Sequence, residues 1–292
     1  MQRFVFFIFY PLIWLISILP FKILYLLSDF LYLILYYIIG YRKKLILSNL
    51  KKVFPDKSEN ELKNIRQKFY HHFVDIFLEM IKTFTISKLQ IKKHYKFTNV
   101  SLLDGINKRG KSIVLVGSHY GNWEWMISLQ MHTKIVSYGT YTRLSNKVLE
   151  GKIKTTRERF GGGLLLQEHT IKRMAADYQD NKKRLYGLLS DQSPQLFKAT
   201  YWSDFLGVRV PIHVGAEKLA KRYNCAYVYM QVTKVKRGYY EINFELISEN
   251  TKEVPDYELT DLYLKKIEKQ IKEKPEFYLW SHNRFKHEGK EK

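Results

Sequence analysis

Residues 112–125 read SIVLVGSHYGNWEW, and this stretch decides the fold of the chain. Residues 112–116 form a short apolar run rich in β-branched side chains, which is typical of a strand buried in a parallel sheet. A turn with a glycine at each end follows at 117–121, and a helical stretch is predicted from Asn122 onward. The passage therefore predicts a strand, a turn and a helix in succession.

Similar units recur along the rest of the chain. Further strands are predicted at 134–138, 186–189, 226–233 and 239–247, and helices at 155–160, 214–223 and 259–274. Upstream, Asp56 or Ser58 can cap a helix that runs toward Thr83. Alternating strands and helices predict an α/β fold with a central, mostly parallel sheet flanked by helices.

The first 40 residues differ in character from the rest. Residues 4–21 carry no charge and would span about 27 Å as a helix, close to the thickness of a hydrocarbon core. The second apolar run, 23–39, contains Asp29 and several tyrosines, which favours a helix near the headgroups. No alanine precedes Ala175, so a signal-peptide cleavage site is missing. We predict a retained membrane-anchoring helical segment at 1–40 and a catalytic domain at 41–292, with a buried hairpin of core helices as the alternative.

The formal net charge of the chain is +21, and residues 1–40 contribute only +1 of it. A basic body of this kind binds either nucleic acid or the anionic surface of a bilayer. The apolar leader favours the bilayer, and the cations at 42–44 mark the cytoplasmic side. Because no nucleic-acid recognition motif is present, a nucleic-acid partner is not expected. The single cysteine, Cys225, fits a reducing compartment.

His119 and Glu124 are the candidate catalytic residues. Five helical residues turn through about 140°, so the two side chains can meet only if His119 lies in the turn and Glu124 in the first helical turns. The carboxylate would then accept a hydrogen bond from one imidazole nitrogen and leave the other free to take a proton from an alcohol. No phosphate-loop or metal-binding spacing occurs, so neither a cofactor nor a metal is predicted.

Several further motifs follow in a fixed order. They are Asn49-Leu50 with Phe54-Pro55, His119 to Glu124, Arg157 with Arg159-Phe160-Gly161, Ser190-Asp191-Gln192, Phe205-Leu206-Gly207, and Trp280 with His282, Arg284 and Lys286. In this order they resemble the lipid A late acyltransferase family, the lauroyl and myristoyl acyltransferases of Gram-negative bacteria. One departure is that Arg143 lies one position from where the family has its arginine.

The resemblance implies transfer of an acyl chain from an acyl carrier protein or acyl-CoA to a hydroxyl of a lipid A precursor, on the cytoplasmic side of the bacterial inner membrane. It implies that His119 is the base and Glu124 its orienting partner. The predicted substrate-binding residues are Asn122, Arg143, Arg157, Arg159 and Asp191, with the arginines holding phosphate. Two alternatives stay open: another lipid acceptor, such as a lysophospholipid or an aminoacyl lipid, or a membrane-tethered basic binding protein without catalysis.

Overall fold

The fold is that of a computed structural model, which describes residues 2–143 and 145–291, with side chains from residue 9 onward. The helices are α1 (Gln2–Ile18), α2 (Phe21–Leu33), α3 (Lys43–Val53), α4 (Glu59–Lys82), α5 (Lys88–His94), α6 (Ser101–Lys108), α7 (Lys147–Glu158), α8 (Thr170–Gln179), α9 (Gly215–Arg222) and α10 (Glu258–Glu273). A π-helix, Ile34–Ile39, continues α2. The strands are β1 (Tyr95–Phe97), β2 (Ile113–Gly117), β3 (Ser137–Tyr141), β4 (Gly163–Leu166), β5 (Leu185–Leu189), β6 (Trp202–Phe205), β7 (Val208–Pro211), β8 (Ala226–Lys236) and β9 (Tyr239–Ser248).

Within the described residues, seven strands form one sheet in the order β1-β9-β8-β2-β5-β3-β4. The strand β2 lies in the middle, parallel to β5 on one side and to β8 on the other. The pair β8 and β9 is antiparallel, while β6 and β7 form a separate hairpin. The predicted α/β fold with a mostly parallel central sheet is confirmed.

Alternate residues of β2 face two different hydrophobic layers. Val114 and Val116 belong to the core that contains the buried side chains of α9 and α10, whereas Ile113 and Leu115 belong to the core beneath α5 and α6. Because all five residues of the strand are buried, the apolar run predicted from sequence has no solvent-facing side. Helices on both faces therefore hold the end of β2 in a fixed place.

The helix α4 begins as the sequence predicts, with Ser58 rather than Asp56 as its cap. The Ser58 hydroxyl accepts from the backbone N–H of Glu61, and the Glu61 side chain accepts from the Ser58 N–H. This reciprocal arrangement satisfies two N–H groups that a helix end leaves without partners. The helix then runs 24 residues to Lys82.

One strand is shifted from its predicted position, and another was not predicted. The strand β3 begins three residues later than predicted, because the Lys134 N–H and the Thr133 hydroxyl bind Asp104 instead of a neighbouring strand. The strand β4 includes the last residue of the triple glycine at 161–163, where no strand is predicted from the sequence. A side chain at Gly163 would clash, since its Cβ would lie 2.5 Å from the Tyr138 ring.

The leader forms two helices separated at Pro20. Phe21–Ile39 is long and apolar enough to cross a membrane, and 22 per cent of its most apolar window is buried against the protein. Its buried residues are Leu24, Ser28, Tyr32 and Tyr36, and the segment packs against α4. Its most exposed residues, Leu26, Phe30, Tyr37, Ile38 and Ile39, lie outside this contact.

Candidate active site

His119 lies two residues beyond the carboxyl end of β2, in the turn that the sequence predicts. Asp191 lies two residues beyond the end of the neighbouring parallel strand β5, whose Leu189 is in register with Gly117. Because the two strands end together, the His119 Nδ1 and the Asp191 Oδ1 come within 2.8 Å. Asp191 is buried, while the His119 side chain keeps 18 per cent of its surface exposed.

The two contacts of the imidazole define one tautomer of the neutral ring. A carboxylate only accepts hydrogen bonds, so Nδ1 of His119 donates to Asp191. On the other side of the ring, the Gln192 amide nitrogen lies 3.3 Å from Nε2 and is a donor, so Nε2 accepts. The neutral ring therefore carries its proton on Nδ1, and the single lone pair of Nε2 accepts from Gln192. An acceptor hydroxyl that takes the place of this amide meets the lone pair that a general base needs.

The structure does not contain the hydrogen bond that the sequence predicts between Glu124 and His119. The Glu124 carboxylate binds both Nε and Nη2 of Arg157, with the Nη2 contact at 2.7 Å, and the His119 Nδ1 is already occupied by Asp191. A bidentate guanidinium pair is charge-assisted and stronger than a bond to neutral imidazole, so Glu124 turns toward α7. The ring of Trp123 lies edge-on to His119 instead, with the centroids 5.2 Å apart.

The three predicted arginines lie in different surroundings. Arg157 is partly buried beside Glu124 and remains close to the catalytic turn. Arg159 points the other way, donating to the Thr83 carbonyl at 2.7 Å, and so holds the end of α4. Arg143 is half exposed and pairs with Glu168 at 2.9 Å. Of the three, Arg157 is the one that contacts a residue of the His119–Glu124 block.

Asn122 is fully buried, with both ends of its amide used by the protein. Its Nδ2 donates to Glu79 Oε2 at 2.7 Å, and its Oδ1 accepts from the Trp125 N–H at 3.0 Å. These contacts do not support the prediction that Asn122 binds substrate, because they occupy both polar atoms of its side chain. Instead they fix the turn that carries His119.

The C-terminal segment closes the turn from the other side. The Leu279 N–H donates to the His119 carbonyl at 3.1 Å, and the Gly121 N–H donates to the Phe277 carbonyl at 3.0 Å. Gly121 has a φ of +58°, and a Cβ there would lie 2.8 Å from a methyl group of Val232. The turn thus requires glycine for both its conformation and its packing.

The electrostatics around Asp191 favour its ionised form. Burial by itself would raise the pKa of Asp191, but the charge of His119 and the hydrogen bonds from that residue outweigh it and leave the pKa below its ordinary value. Nearby, burial lowers the pKa of His282 to about 4, and this neutral ring accepts from the Ser193 N–H. Burial also raises the pKa of Glu124, against the opposing charge and hydrogen bonds of Arg157.

Sequence reasoning missed two contacts of the His119 ring. It placed Asp191 among the substrate-binding residues and gave Gln192 no role, whereas both touch the His119 ring. The available signal was the position of both residues just after a predicted buried strand. Parallel neighbours bring their carboxyl ends together, so a strand that ends in Asp-Gln was a candidate partner for one that ends in His.

A histidine paired with a buried carboxylate at the carboxyl edge of a mostly parallel sheet is an arrangement that α/β enzymes use for general-base chemistry. The family model described as bacterial lipid A biosynthesis acyltransferase matches residues 1–287, so the chain belongs to that family. It is accordingly an acyltransferase of lipid A biosynthesis. No curated protein matches the chain.

Proposed function

We propose that the protein transfers a fatty acyl chain from a thioester, on an acyl carrier protein or on coenzyme A, to a hydroxyl of a lipid A precursor. The observation that carries this proposal is the His119 ring, held between Asp191 and Gln192 with Nε2 as an acceptor. That arrangement suits a reaction in which the substrate itself brings the nucleophilic hydroxyl, since the base needs only to remove its proton.

In the proposed reaction, Nε2 of His119 takes the proton of the acceptor hydroxyl while its oxygen attacks the thioester carbonyl. The carbon–sulfur bond then breaks, and the departing thiolate receives the proton from Nε2. Asp191 holds Nδ1 throughout and stabilises the imidazolium that forms between the two proton transfers, as carboxylates do in related acyl-transfer sites. The base returns to its starting state.

We assign Glu124 a role through Arg157 rather than through His119. The carboxylate occupies one edge of the guanidinium, through Nε and Nη2. An arginine has five N–H donors in all, so donors remain for a phosphate oxygen. Arg143 is exposed beyond β3, where it can meet a second phosphate group. Arg159 holds α4 and is assigned no substrate contact.

The proposed location is the cytoplasmic side of the bacterial inner membrane. The net charge of +21 suits both an acidic carrier protein and an anionic glycolipid, and the cationic residues 42–44 follow the apolar segment directly. We propose residues 1–40 as the membrane-binding part and 41–292 as the catalytic part.

The direct test is acyl transfer by His119→Asn, with His132→Asn as the matched control. His132 follows the 3₁₀ helix Glu124–Met131 and touches Phe97 rather than the site. We expect His119→Asn to lose transfer by at least about 10²-fold, as for removal of a general base, and His132→Asn to keep it. Mass spectrometry of the product identifies acceptor and chain length. Equal rates for the two variants would refute the proposal.

A further inference from the structure

The outer face of α2 and its π-helical continuation is an apolar stripe. Its members recur at spacings of three and four residues and are between 49 and 68 per cent exposed: Ile23, Leu26, Phe30, Leu33 and Tyr37. Such spacing keeps them on one side of a helix. Ile38 and Ile39, which are also exposed, extend the apolar surface at the end of the segment.

The opposite face of the same helix is polar and is joined to α4 along its length. The Tyr25 hydroxyl donates to Glu79 at 2.7 Å, and the Ser28 hydroxyl donates to Asp75 at 2.7 Å. Further along, the Tyr32 ring lies 4.3 Å from that of His71. As residue numbers rise in α2 they fall in α4, so the two helices run antiparallel and side by side.

The contact continues to the end of the segment. Tyr36 accepts a hydrogen bond from Arg66 at 3.3 Å and lies against the Tyr70 ring, with the centroids 5.1 Å apart. The hairpin between β8 and β9 adds an ion pair, because Arg237 binds Asp29 of α2 and Asp75 of α4 at once. The helix is therefore attached to the domain at every turn from Tyr25 to Tyr36.

A helix attached in this way cannot cross a bilayer without taking its partner with it. The side of α4 that it covers carries Arg66, Asp75 and Glu79, and charged groups at the bilayer centre are strongly unfavourable. A helix with one apolar and one polar face is instead stable in the plane of the membrane surface, with the apolar face among the acyl chains.

We propose that the Phe21–Ile39 segment lies in the plane of the membrane surface and does not span it. The apolar stripe contacts an anionic lipid leaflet, at the boundary between the headgroups and the acyl chains. Exposed cations at both ends, Lys22 before the stripe and Arg42 and Lys44 after it, are placed for the anionic headgroups.

An in-plane helix fixes the distance of His119 from the membrane surface. In that respect the inference rests on the proposed function. Tyr25 and Asn122 both bind the Glu79 carboxylate, and Asn122 is three residues from His119. The membrane-facing helix is thus two hydrogen bonds away from the catalytic turn. A base held at the headgroup level reaches a lipid hydroxyl without the lipid leaving its leaflet.

The test is the depth of spin labels in the full-length protein reconstituted into vesicles containing phosphatidylglycerol. Labels are placed one at a time through Ile23→Cys, Leu26→Cys, Phe30→Cys and Leu33→Cys. The native Cys225 is buried and burial raises the pKa of its thiol to about 12, so it does not compete for the label. Tyr178→Cys is the control, because Tyr178 is exposed near the carboxyl end of α8 and a label there is expected to remain in water.

We expect the four labels to lie at one shallow depth and the Tyr178→Cys label to remain in water. A spanning helix would spread the labels from Ile23→Cys to Leu33→Cys over about 15 Å, at 1.5 Å per residue, and that result would overturn the inference. The depth of the labels is measured without acyl transfer. If the four labels lie at equal depth but the wild-type protein transfers no acyl chain, the result counts against the proposed function alone.

A second readout uses a membrane-impermeant maleimide on spheroplasts expressing Lys22→Cys or Lys44→Cys. An in-plane segment puts both positions on one side, so the two variants react alike, before or after lysis. Reaction of only one of them in intact spheroplasts would place the two ends on opposite sides and refute the inference.

Discussion

At the residue scale, the orientation of one imidazole depends on one buried carboxylate. In Asp191→Asn the amide can offer its N–H to Nδ1, which favours the tautomer with its proton on Nε2. The ring then has no lone pair facing the acceptor hydroxyl. We expect kcat to fall on the order of 10³-fold with little change in KM, because the carboxylate acts on the base and not on substrate binding.

The control for this substitution is Asp177→Asn, which changes a buried aspartate of α8 that binds Arg173 and Tyr186 away from the site. Circular dichroism and melting temperature report whether each variant is folded. A folded Asp191→Asn enzyme that turns over at the rate of Asp177→Asn would contradict the role assigned to Asp191.

The sequence predicts the turn in which the structure has His119 but not the hydrogen-bond partner of that side chain, for a physical reason. His119 is recognisable because a histidine in a glycine-flanked turn after a buried strand has few other uses. Its partner depends on which strand lies beside β2, and Asp191 is 72 positions away along the chain. Glu124 was the nearest carboxylate in sequence, but it binds Arg157, which lies 33 positions further on, instead of His119. Contacts set by strand order are not visible in local spacing.

At the element scale, α4 connects α2 to the turn that carries His119, because Tyr25 and Asn122 both donate to Glu79. Burial raises the pKa of Glu79 to about 7, with Asp75 adding to the shift and Lys234, Tyr25 and Tyr240 opposing it. The folded protein therefore holds a proton that the unfolded chain releases near pH 4.5. The stabilising contribution is complete below that pH and is lost as the pH rises through about 7.

We therefore expect Glu79→Gln to remove part of the pH dependence of stability. Between pH 4.5 and 8 the wild type should lose roughly 3 kcal/mol more of its free energy of unfolding than the variant does. The measurement is urea unfolding in detergent across this range. Glu217→Gln replaces another buried carboxylate, in α9 and with backbone partners, and is the control for the loss of such a group. Parallel curves for wild type and Glu79→Gln would show that Glu79 does not titrate as described.

Most elements were predictable because the spacing of their apolar residues agrees with the capping and turn residues at their ends. The capping pair at Ser58 and the period-two pattern of β9 each point to one structure. The β6–β7 hairpin was not predicted, since its four-residue strands are too short to show a period and are stabilised by tertiary contacts such as that of the Leu206 N–H with Glu268. The short strand β4 was missed because glycine there serves packing against Tyr138 and gives no strand signal.

At the scale of the whole molecule, the charge distribution predicts how binding to vesicles depends on salt. The chain carries +21, nearly all of it after residue 40, while the stripe on α2 is apolar. Raising the ionic strength from about 0.1 M to 1 M shortens the screening length from about 10 Å to 3 Å and weakens only the electrostatic part. We expect binding to anionic vesicles to fall at least tenfold and binding to neutral vesicles to change little.

Flotation of the full-length protein with phosphatidylglycerol or phosphatidylcholine vesicles measures both cases. Anionic and neutral vesicles that retain the protein equally at every salt concentration would show that the basic surface does not face the lipid.

The clamp that Phe277 and Leu279 place on the turn at 119–121 has a consequence for biosynthesis. The apolar residues 4–39 are synthesised more than 200 positions before this clamp. The histidine turn, by contrast, acquires its last two backbone partners only after residue 279 has emerged. A copy whose synthesis has not reached residue 279 therefore lacks the two backbone partners that hold this turn, and we expect it to be inactive toward lipids.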